Sequence, residues 1–296
     1  MSHDLSGAPS RHGADWNLRG AGFMILAMLA FTIEDSLMKQ LSTALPVGQI
    51  LIGFGLLGIT VYAGLALRAG ESPLRAAMLT RAMGLRCLCE VTGRLFFMLA
   101  LALTPLSTAS AILQATPLVV MAGAALIFGE RIGKRRWLAV LLGFGGVLMI
   151  LRPGAEGFGL LSLLAVIGTL GFAGRDLATR AAPASVSWRQ LGVLGFAMLI
   201  LAGLIALPFG APPVMPDGIS SLMLLLGSAS GVLAYTALTI AMRTGEVGAV
   251  TPFRYTRLIF AMIAGMALFG ERPDIWTLGG SAVIVLAGIA VLRSAR

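Results

Sequence analysis

Ten charged side chains lie inside apolar stretches of the chain, where a charge is costly and therefore favours a functional role. Three of them, Arg86, Glu90 and Arg94, recur at every fourth residue, so a helix would carry them on one face. One carboxylate for two guanidinium groups leaves an arginine in need of another anion. We therefore predict that Arg94, about 18 Å along this helix, and Glu90 contribute to a binding site. An ion network that only fixes the helix is the alternative.

A second basic cluster follows Thr251–Pro252 and contains Arg254, Tyr255 and Arg257. The planar guanidinium fork of arginine suits carboxylate and phosphate groups, so this cluster favours a substrate with an anionic group. Gln114 could add neutral hydrogen bonds to the same site. Arg254 could instead extend toward the membrane surface, and Arg257 could pair with a carboxylate of the first helix.

The elements that must position these residues are membrane-spanning helices. Of the 296 residues, 57% are hydrophobic and only 12% are charged, and the mean hydropathy is +0.92. Soluble domains carry about 25% charged residues. A helical span needs about 20 apolar residues. This length predicts ten spans near residues 18–41, 47–67, 82–103, 107–128, 134–151, 158–178, 189–208, 219–241, 247–269 and 274–293.

The distribution of basic residues predicts the orientation. The polar tail 1–17, the even-numbered loops and the C-terminal tail together hold fourteen lysines and arginines, against Arg152 and Arg272 on the other side. The positive-inside rule then places both termini in the cytoplasm of a bacterial-type inner membrane, with the lipid bilayer as a partner. The net charge of +9 does not indicate nucleic-acid binding, because the basic residues flank apolar segments instead of forming one patch.

The two halves of the chain repeat each other at an offset of 141 residues. FGER occurs at Phe128–Arg131 and again at Phe269–Arg272, and Phe31, Asp35 and Lys39 match Phe172, Asp176 and Arg180. With five spans in each half, 18–154 and 155–296, the second half must run opposite to the first. The predicted fold is therefore an all-α membrane protein with ten transmembrane helices in a five-plus-five inverted repeat. Such repeats are typical of alternating-access transporters, and a repeat kept only for packing is the alternative.

The repeat separates shared residues from those found in one half. Asp35–Lys39 and Asp176–Arg180 are i, i+4 pairs at equivalent places, which favours a structural or gating role. Burial of Glu34 or Glu90 would favour the protonated carboxyl, so protons are a candidate coupling ion. The predicted coupling or gating group comprises Glu34, Asp35, Lys39, Arg175 and Asp176.

Tyr235 is the repeat counterpart of Arg94 in the eighth span. A tyrosine at this depth offers an aromatic face and a hydroxyl group, which predicts contact with the substrate. The neighbouring run Gly227–Gly231 favours close helix packing instead of ligand binding.

The chain resembles the drug/metabolite transporter superfamily, specifically the ten-helix proteins with two EamA-type repeats. The segments Thr104–Gly154 and Val250–Arg272, which include both FGER motifs, carry the resemblance. It implies a helical transporter of amino acids, nucleotide-like compounds, vitamins or other metabolites, with export as the usual direction. An importer of a vitamin or nucleotide-like metabolite is the alternative.

Other classes of function fit the sequence less well. Both histidines lie in the polar tail and no P-loop is present, so we predict no enzyme, metal or cofactor. An ion channel would require a continuous polar path, whereas the charges here cluster on certain spans. The sequence therefore predicts a secondary active transporter of a small molecule with a carboxylate or phosphate group.

Overall fold

A computed structural model describes residues 11–104, 106–130, 132–151, 161–244 and 247–269, together with 275–276, 278–280, 282–283 and 286–287. Every regular element in these residues is a helix, which confirms the predicted all-α class. The α-helices are α1 Arg11–Leu41, α2 Val47–Arg68, α3 Arg81–Leu103, α4 Leu106–Leu113, α5 Thr116–Phe128, α6 Lys134–Leu151, α7 Ser162–Arg180, α8 Trp188–Ala206, α9 Gly218–Thr244, α10 Val247–Val250 and α11 Thr256–Phe269. Short 3₁₀ segments cover Ala76–Met78, Leu207–Phe209 and Thr251–Tyr255.

Among the described residues, four helical segments are long and apolar enough by themselves to cross a membrane: Trp16–Leu41, Val47–Arg68, Trp188–Phe209 and Gly218–Thr244. Helix α3 has comparable length but carries Arg86, Glu90 and Arg94 in its middle, which lowers its hydropathy. The predicted tenth span, 274–293, falls largely outside the described residues.

The predicted fourth and ninth spans are not single helices. Residues 107–128 are divided between α4 and α5 by a turn at Gln114–Ala115, and Pro117 stands in the first turn of α5. Residues 247–269 are divided into α10, a 3₁₀ segment and α11, with a proline at the start of the 3₁₀ segment. Proline lacks the N–H group that a helix interior requires, which explains both interruptions.

The distribution of polarity is opposite to that of a soluble protein. Large apolar side chains point outward, with Leu126 86% and Leu88 64% exposed. Glu34, Arg86 and Glu90 have no exposed surface at all. An apolar exterior around buried charges is what a hydrocarbon environment requires.

Three helix pairs form the most extensive contacts: α1 with α9, α3 with α7, and α2 with α8. Glycines allow the closest approaches. A Cβ atom on Gly171 of α7 would lie 2.5 Å from the backbone nitrogen of Gly93 in α3, and one on Gly48 of α2 would lie 2.8 Å from the carbonyl oxygen of Gly203 in α8. At these positions the backbones themselves are in contact, so the helices cannot carry side chains there.

Helix starts are capped by local side chains. Ser187 and Gln190 form a reciprocal capping box at the start of α8, and Thr80 caps α3. Before α9, Asp217 accepts hydrogen bonds from the side chain and the backbone of Ser220, which lower the pKa of the Asp217 carboxyl.

We expect Gly171→Ala to lower the free energy of unfolding by about 1–3 kcal/mol, because the added methyl group meets backbone atoms that cannot move aside. Gly84→Ala is the control, since no atom lies within 4 Å of its Cβ position. Thermal unfolding of the purified protein in detergent measures both. Equal stability of the two variants would contradict the close α3–α7 contact.

Candidate functional site

The carboxylate of Glu90 is the centre of a buried ion network between α3 and α7. Its Oε1 atom lies 3.2 Å from Arg175 Nη1 and 3.6 Å from Arg94 Nε. Its Oε2 atom lies 3.7 Å from Arg86 Nη2 and accepts a hydrogen bond of 2.9 Å from the Tyr235 hydroxyl. Three guanidinium groups therefore share one carboxylate in the interior.

The local sequence explains this convergence. The i, i+4 spacing stacks Arg86, Glu90 and Arg94 along one face of α3, as predicted. On α7, Gly171 packs against the backbone of Gly93 in α3, so Arg175, one turn further along α7, reaches Glu90.

The network extends from Glu90 in two directions. Arg94 Nη1 lies 2.8 Å from Oε1 of Glu34, which brings in helix α1. Arg175 Nη2 lies 2.8 Å from Oδ1 of Asp176, whose other oxygen pairs with Arg254. Four helical segments from both halves of the chain thus meet in one charged cluster.

Asp35 pairs with Arg257 of α11, one of the alternatives that the sequence left open. The i, i+4 pair predicted between Asp35 and Lys39 does not form. Lys39 Nζ instead donates hydrogen bonds of 3.1 and 3.2 Å to the carbonyl oxygens of Leu101 and Thr104 at the end of α3. Unpaired carbonyls at a helix C-terminus attract a cation, and a guanidinium binds a carboxylate more strongly than an ammonium does.

In the second half of the chain, Asp176 also pairs with arginines instead of with the residue four positions later. It pairs with Arg175 and Arg254, while Arg180 donates to the carbonyl oxygen of Met242 and pairs with Glu130. The predicted Asp176–Arg180 pair is therefore also replaced, in part by the neighbouring Arg175 and in part by contacts of both residues outside α7.

A small cavity lies within this cluster. Its volume is about 20 Å³, enough for about one water molecule, and a metabolite therefore requires the surrounding helices to separate. The residues that line it are Met28, Phe31, Asp35, Arg94, Phe97, Leu113, Gln114, Thr116, Phe172, Arg175, Arg254 and Arg257.

The buried charges of the described residues do not balance. Five arginines (Arg86, Arg94, Arg175, Arg254 and Arg257) are at most 8% exposed, against four carboxylates (Glu34, Asp35, Glu90 and Asp176). Several donor atoms have no hydrogen-bond partner within the described part of the chain, among them Arg94 Nη2, Arg254 Nε, Arg257 Nε and Gln114 Nε2. Unsatisfied donors around a positively charged cavity favour an anionic ligand with acceptor oxygens.

The structure divides the seven predicted substrate-binding residues into two groups. Arg94, Gln114, Arg254 and Arg257 line the cavity. Glu90, Tyr235 and Tyr255 do not belong to its lining.

The hydroxyl groups of both tyrosines are already engaged. Tyr235 accepts a hydrogen bond from Arg86 and donates one to Glu90, so it links two members of the network. Tyr255 donates to the carbonyl oxygen of Val140 at 3.0 Å, and its ring covers Gly143 of α6.

Three phenylalanines of the cavity, Phe31, Phe97 and Phe172, were not predicted as site residues. Phenylalanine carries no group that sequence reasoning associates with chemistry. A signal was nevertheless present, because Phe31 and Phe172 occupy equivalent places in the repeat, each shortly before the acidic motif.

No three Asp, Glu, His or Cys side chains of the described residues are placed together to hold a metal ion. The described site therefore consists of guanidinium, carboxylate, amide and aromatic groups.

The sequence profile of the EamA-like transporter family matches residues 18–152 and again residues 158–294. The chain belongs to this family. The apolar exterior, the buried charges and the family together establish a multi-pass membrane protein that transports small molecules and is not an enzyme.

Relatives with named functions match this chain over nearly its whole length. A riboflavin transporter of Vibrio cholerae is 30% identical, and the match covers 91% of each chain. An S-adenosylmethionine uptake transporter of Rickettsia bellii is 26% identical, with 94% of each chain covered. A pseudopaline exporter of Pseudomonas aeruginosa is 29% identical, and the match covers 94% of this chain and 97% of the exporter.

A crystal structure of a protein with 20% sequence identity has a similar fold. The TM-score is 0.75, and the superposition covers 95% of this chain and 98% of the other.

We expect Asp35→Asn or Arg257→Met alone to lower the free energy of unfolding by about 3–5 kcal/mol, since each leaves a buried charge without its partner. The double variant should recover much of that loss. A double-mutant cycle, with each variant measured by thermal unfolding, gives the coupling free energy between Asp35 and Arg257. The control pair is Glu71–Arg189, which is 27–29% exposed and should show a coupling below about 1 kcal/mol. Additive effects at Asp35 and Arg257 would show that the pair does not form.

Proposed function

We propose that this EamA-like protein is a secondary transporter that moves a small metabolite with a carboxylate or phosphate group across a bacterial-type inner membrane by alternating access. The observation that carries the proposal is the charge of the cavity. Arg94, Arg175, Arg254 and Arg257 line it, and Asp35 is the one carboxylate of its described lining. In a low-dielectric interior this excess attracts an anion strongly, because charges are poorly screened there.

The inverted repeat supports alternating access. At the offset of 141 residues, α1 corresponds to α7 and α3 to α9, so the contact of α1 with α9 corresponds to the contact of α7 with α3. Helix α2 corresponds to α8, and these two helices pack against each other. Such reciprocal pairing is expected of ten helices arranged as two inverted halves around a central site.

Two equivalent contacts favour a gating role for Lys39 and Arg180. Lys39 donates a hydrogen bond to the carbonyl oxygen of Leu101, and Arg180 donates one to the carbonyl oxygen of Met242. Arg180 lies 141 positions after Lys39, and Met242 lies 141 positions after Leu101, so the two contacts are equivalent in the repeat. In opposite-facing halves these contacts lie at opposite ends of the bundle. Arg180 also pairs with Glu130 of the first FGER motif, which connects the two halves at the end that the positive-inside rule predicts to be cytoplasmic.

Direction and coupling are the finer parts of the proposal. Export remains the direction that the family resemblance predicts. Uptake is the second candidate, supported by the relatives named for S-adenosylmethionine uptake. Protons are the candidate coupling ion, because Glu34 is fully buried and its Oε2 atom has no hydrogen-bond partner among the described residues.

The anionic substrate class is tested by thermal unfolding in detergent with matched pairs of compounds, such as succinate and its neutral diamide. A ligand at 100 times its dissociation constant should stabilise the protein by about 2.7 kcal/mol. Arg257→Lys keeps the charge beside Asp35 but loses the planar fork, and should weaken binding of the anion roughly tenfold. Arg189→Lys, in the exposed pair with Glu71, is the matched control.

The outcome decides between substrate classes. Stabilisation by carboxylates or phosphates, weakened only in Arg257→Lys, supports the proposal, and counterflow in proteoliposomes then identifies the substrate and its direction. Stabilisation only by cations or neutral compounds would contradict it. Flux without saturation or counterflow would indicate a channel.

We expect Glu130→Arg to open the end of the bundle that Glu130 and Arg180 connect, because it replaces attraction by repulsion. In a protein without Cys87 and Cys89, Leu113→Cys places a thiol in the cavity for labelling by an impermeant maleimide in inside-out vesicles. Labelling should accelerate roughly twofold to fivefold, the range expected for a partly exposed pair.

The reversed pair, Glu130→Arg with Arg180→Glu, should restore the slow rate. Unchanged labelling in the single variant, or no restoration in the reversed pair, would show that this contact does not hold the bundle closed.

A further inference from the structure

Two phenylalanines at equivalent places in the repeat enclose one arginine. The guanidinium carbon of Arg94 lies 5.8 Å from the ring centre of Phe31 and 5.7 Å from that of Phe172. Phe31 and Phe172 are 141 residues apart, so each half contributes one ring at the same position. Both rings are at most 7% exposed.

The same rings contact other arginines of the cavity. Arg257 lies 5.0 Å from the ring centre of Phe31, and Arg175 lies 4.9 Å from that of Phe172. Three of the four cavity arginines are therefore held against the two repeat-related rings. All of these distances lie within the range of a cation–π interaction.

An aromatic ring stabilises a buried guanidinium differently from a carboxylate. A carboxylate neutralises the charge and occupies the N–H groups along the edge of the fork. A ring attracts the cation over its face, provides no acceptor to the edge N–H groups and leaves the net charge unchanged. Arg94 Nη2 and Arg257 Nε, which have no hydrogen-bond partner among the described residues, fit this arrangement.

We propose that Phe31 and Phe172 are positioning residues that hold Arg94, Arg175 and Arg257 in place over their rings, so that N–H groups which no carboxylate occupies, Arg94 Nη2 and Arg257 Nε, remain available to the anionic group of the substrate. The inference rests on the proposed function. It gives three of the five buried arginines of the described residues a stabilising contact in addition to the four buried carboxylates. Two uncharged side chains, Phe31 and Phe172, thus contribute to the affinity of the cavity for anions.

The test measures the apparent dissociation constants of succinate and inorganic phosphate from the dose dependence of thermal stabilisation. Phe172→Leu keeps an apolar side chain but removes the π face, and should weaken anion binding roughly tenfold. Phe172→Tyr keeps the ring and should bind within about twofold of the wild type. Phe31→Leu and Phe31→Tyr should behave in the same way.

Phe54→Leu is the control for the loss of a buried ring, because Phe54 stacks on Phe196 and lies over none of the arginines that the structure describes. It should lower the melting temperature without ligand but leave the anion affinity unchanged. The proposal is overturned if Phe172→Leu binds anions like the wild type, or if Phe54→Leu weakens binding equally. If no anion stabilises the wild type, the proposed function fails, and this inference fails with it.

Discussion

The structure depends on how the protein accommodates buried guanidinium groups in a low-dielectric interior. Desolvation of an ion costs several kcal/mol even after relaxation, and only close partners offset that penalty. Here the partners come from distant parts of the sequence. Asp35 and Arg257 are 222 residues apart, and Glu34 and Arg94 are 60 apart. The helices must therefore assemble correctly before any of these charges is stable, which makes the network a determinant of the fold as well as of the site.

The fold provides the close helix contacts that this network requires. Gly93 and Gly171 bring α3 and α7 into backbone contact, and at this distance Arg175 reaches Glu90. Larger residues at these positions would separate the helices and break the ion pair between Arg175 and Glu90. Around this centre, α2 and α8 place Leu56, Leu201 and similar side chains on the exterior. Small residues thus allow the helices to pack closely enough for ion pairs to form in the interior, while the exterior stays apolar toward the membrane.

Hydropathy and helical spacing were sufficient to predict several elements. The predicted spans 47–67, 189–208 and 219–241 correspond closely to α2, α8 and α9, because each is a long apolar run between turn residues. Hydropathy averages over a segment, so it did not predict the interruptions of the fourth and ninth spans. The proline at position 117 was the available signal for the first of them.

The candidate site was only partly predictable. Spacing alone placed Arg86, Glu90 and Arg94 on one helix face, but it could not assign Glu90 to Arg175 or Asp35 to Arg257, because such pairings depend on helix contacts. Local spacing even favoured the wrong partner for Lys39, which binds helix carbonyls instead. Phe31 and Phe172 were visible as repeat residues, yet their role follows only from their position over the guanidinium groups.

The central claim is that the site binds anions because the buried arginines of the described residues exceed the buried carboxylates, and Gln114→Glu tests it most directly. The change is nearly isosteric, adds a second carboxylate to the cavity lining and raises the buried carboxylates of the described residues from four to five, equal to the buried arginines. Thermal unfolding with and without succinate or inorganic phosphate is the measurement. The account predicts that Gln114→Glu is at least as stable as the wild type without ligand and is no longer stabilised by anions. A variant that keeps its stability and still binds these anions with wild-type affinity would contradict the account.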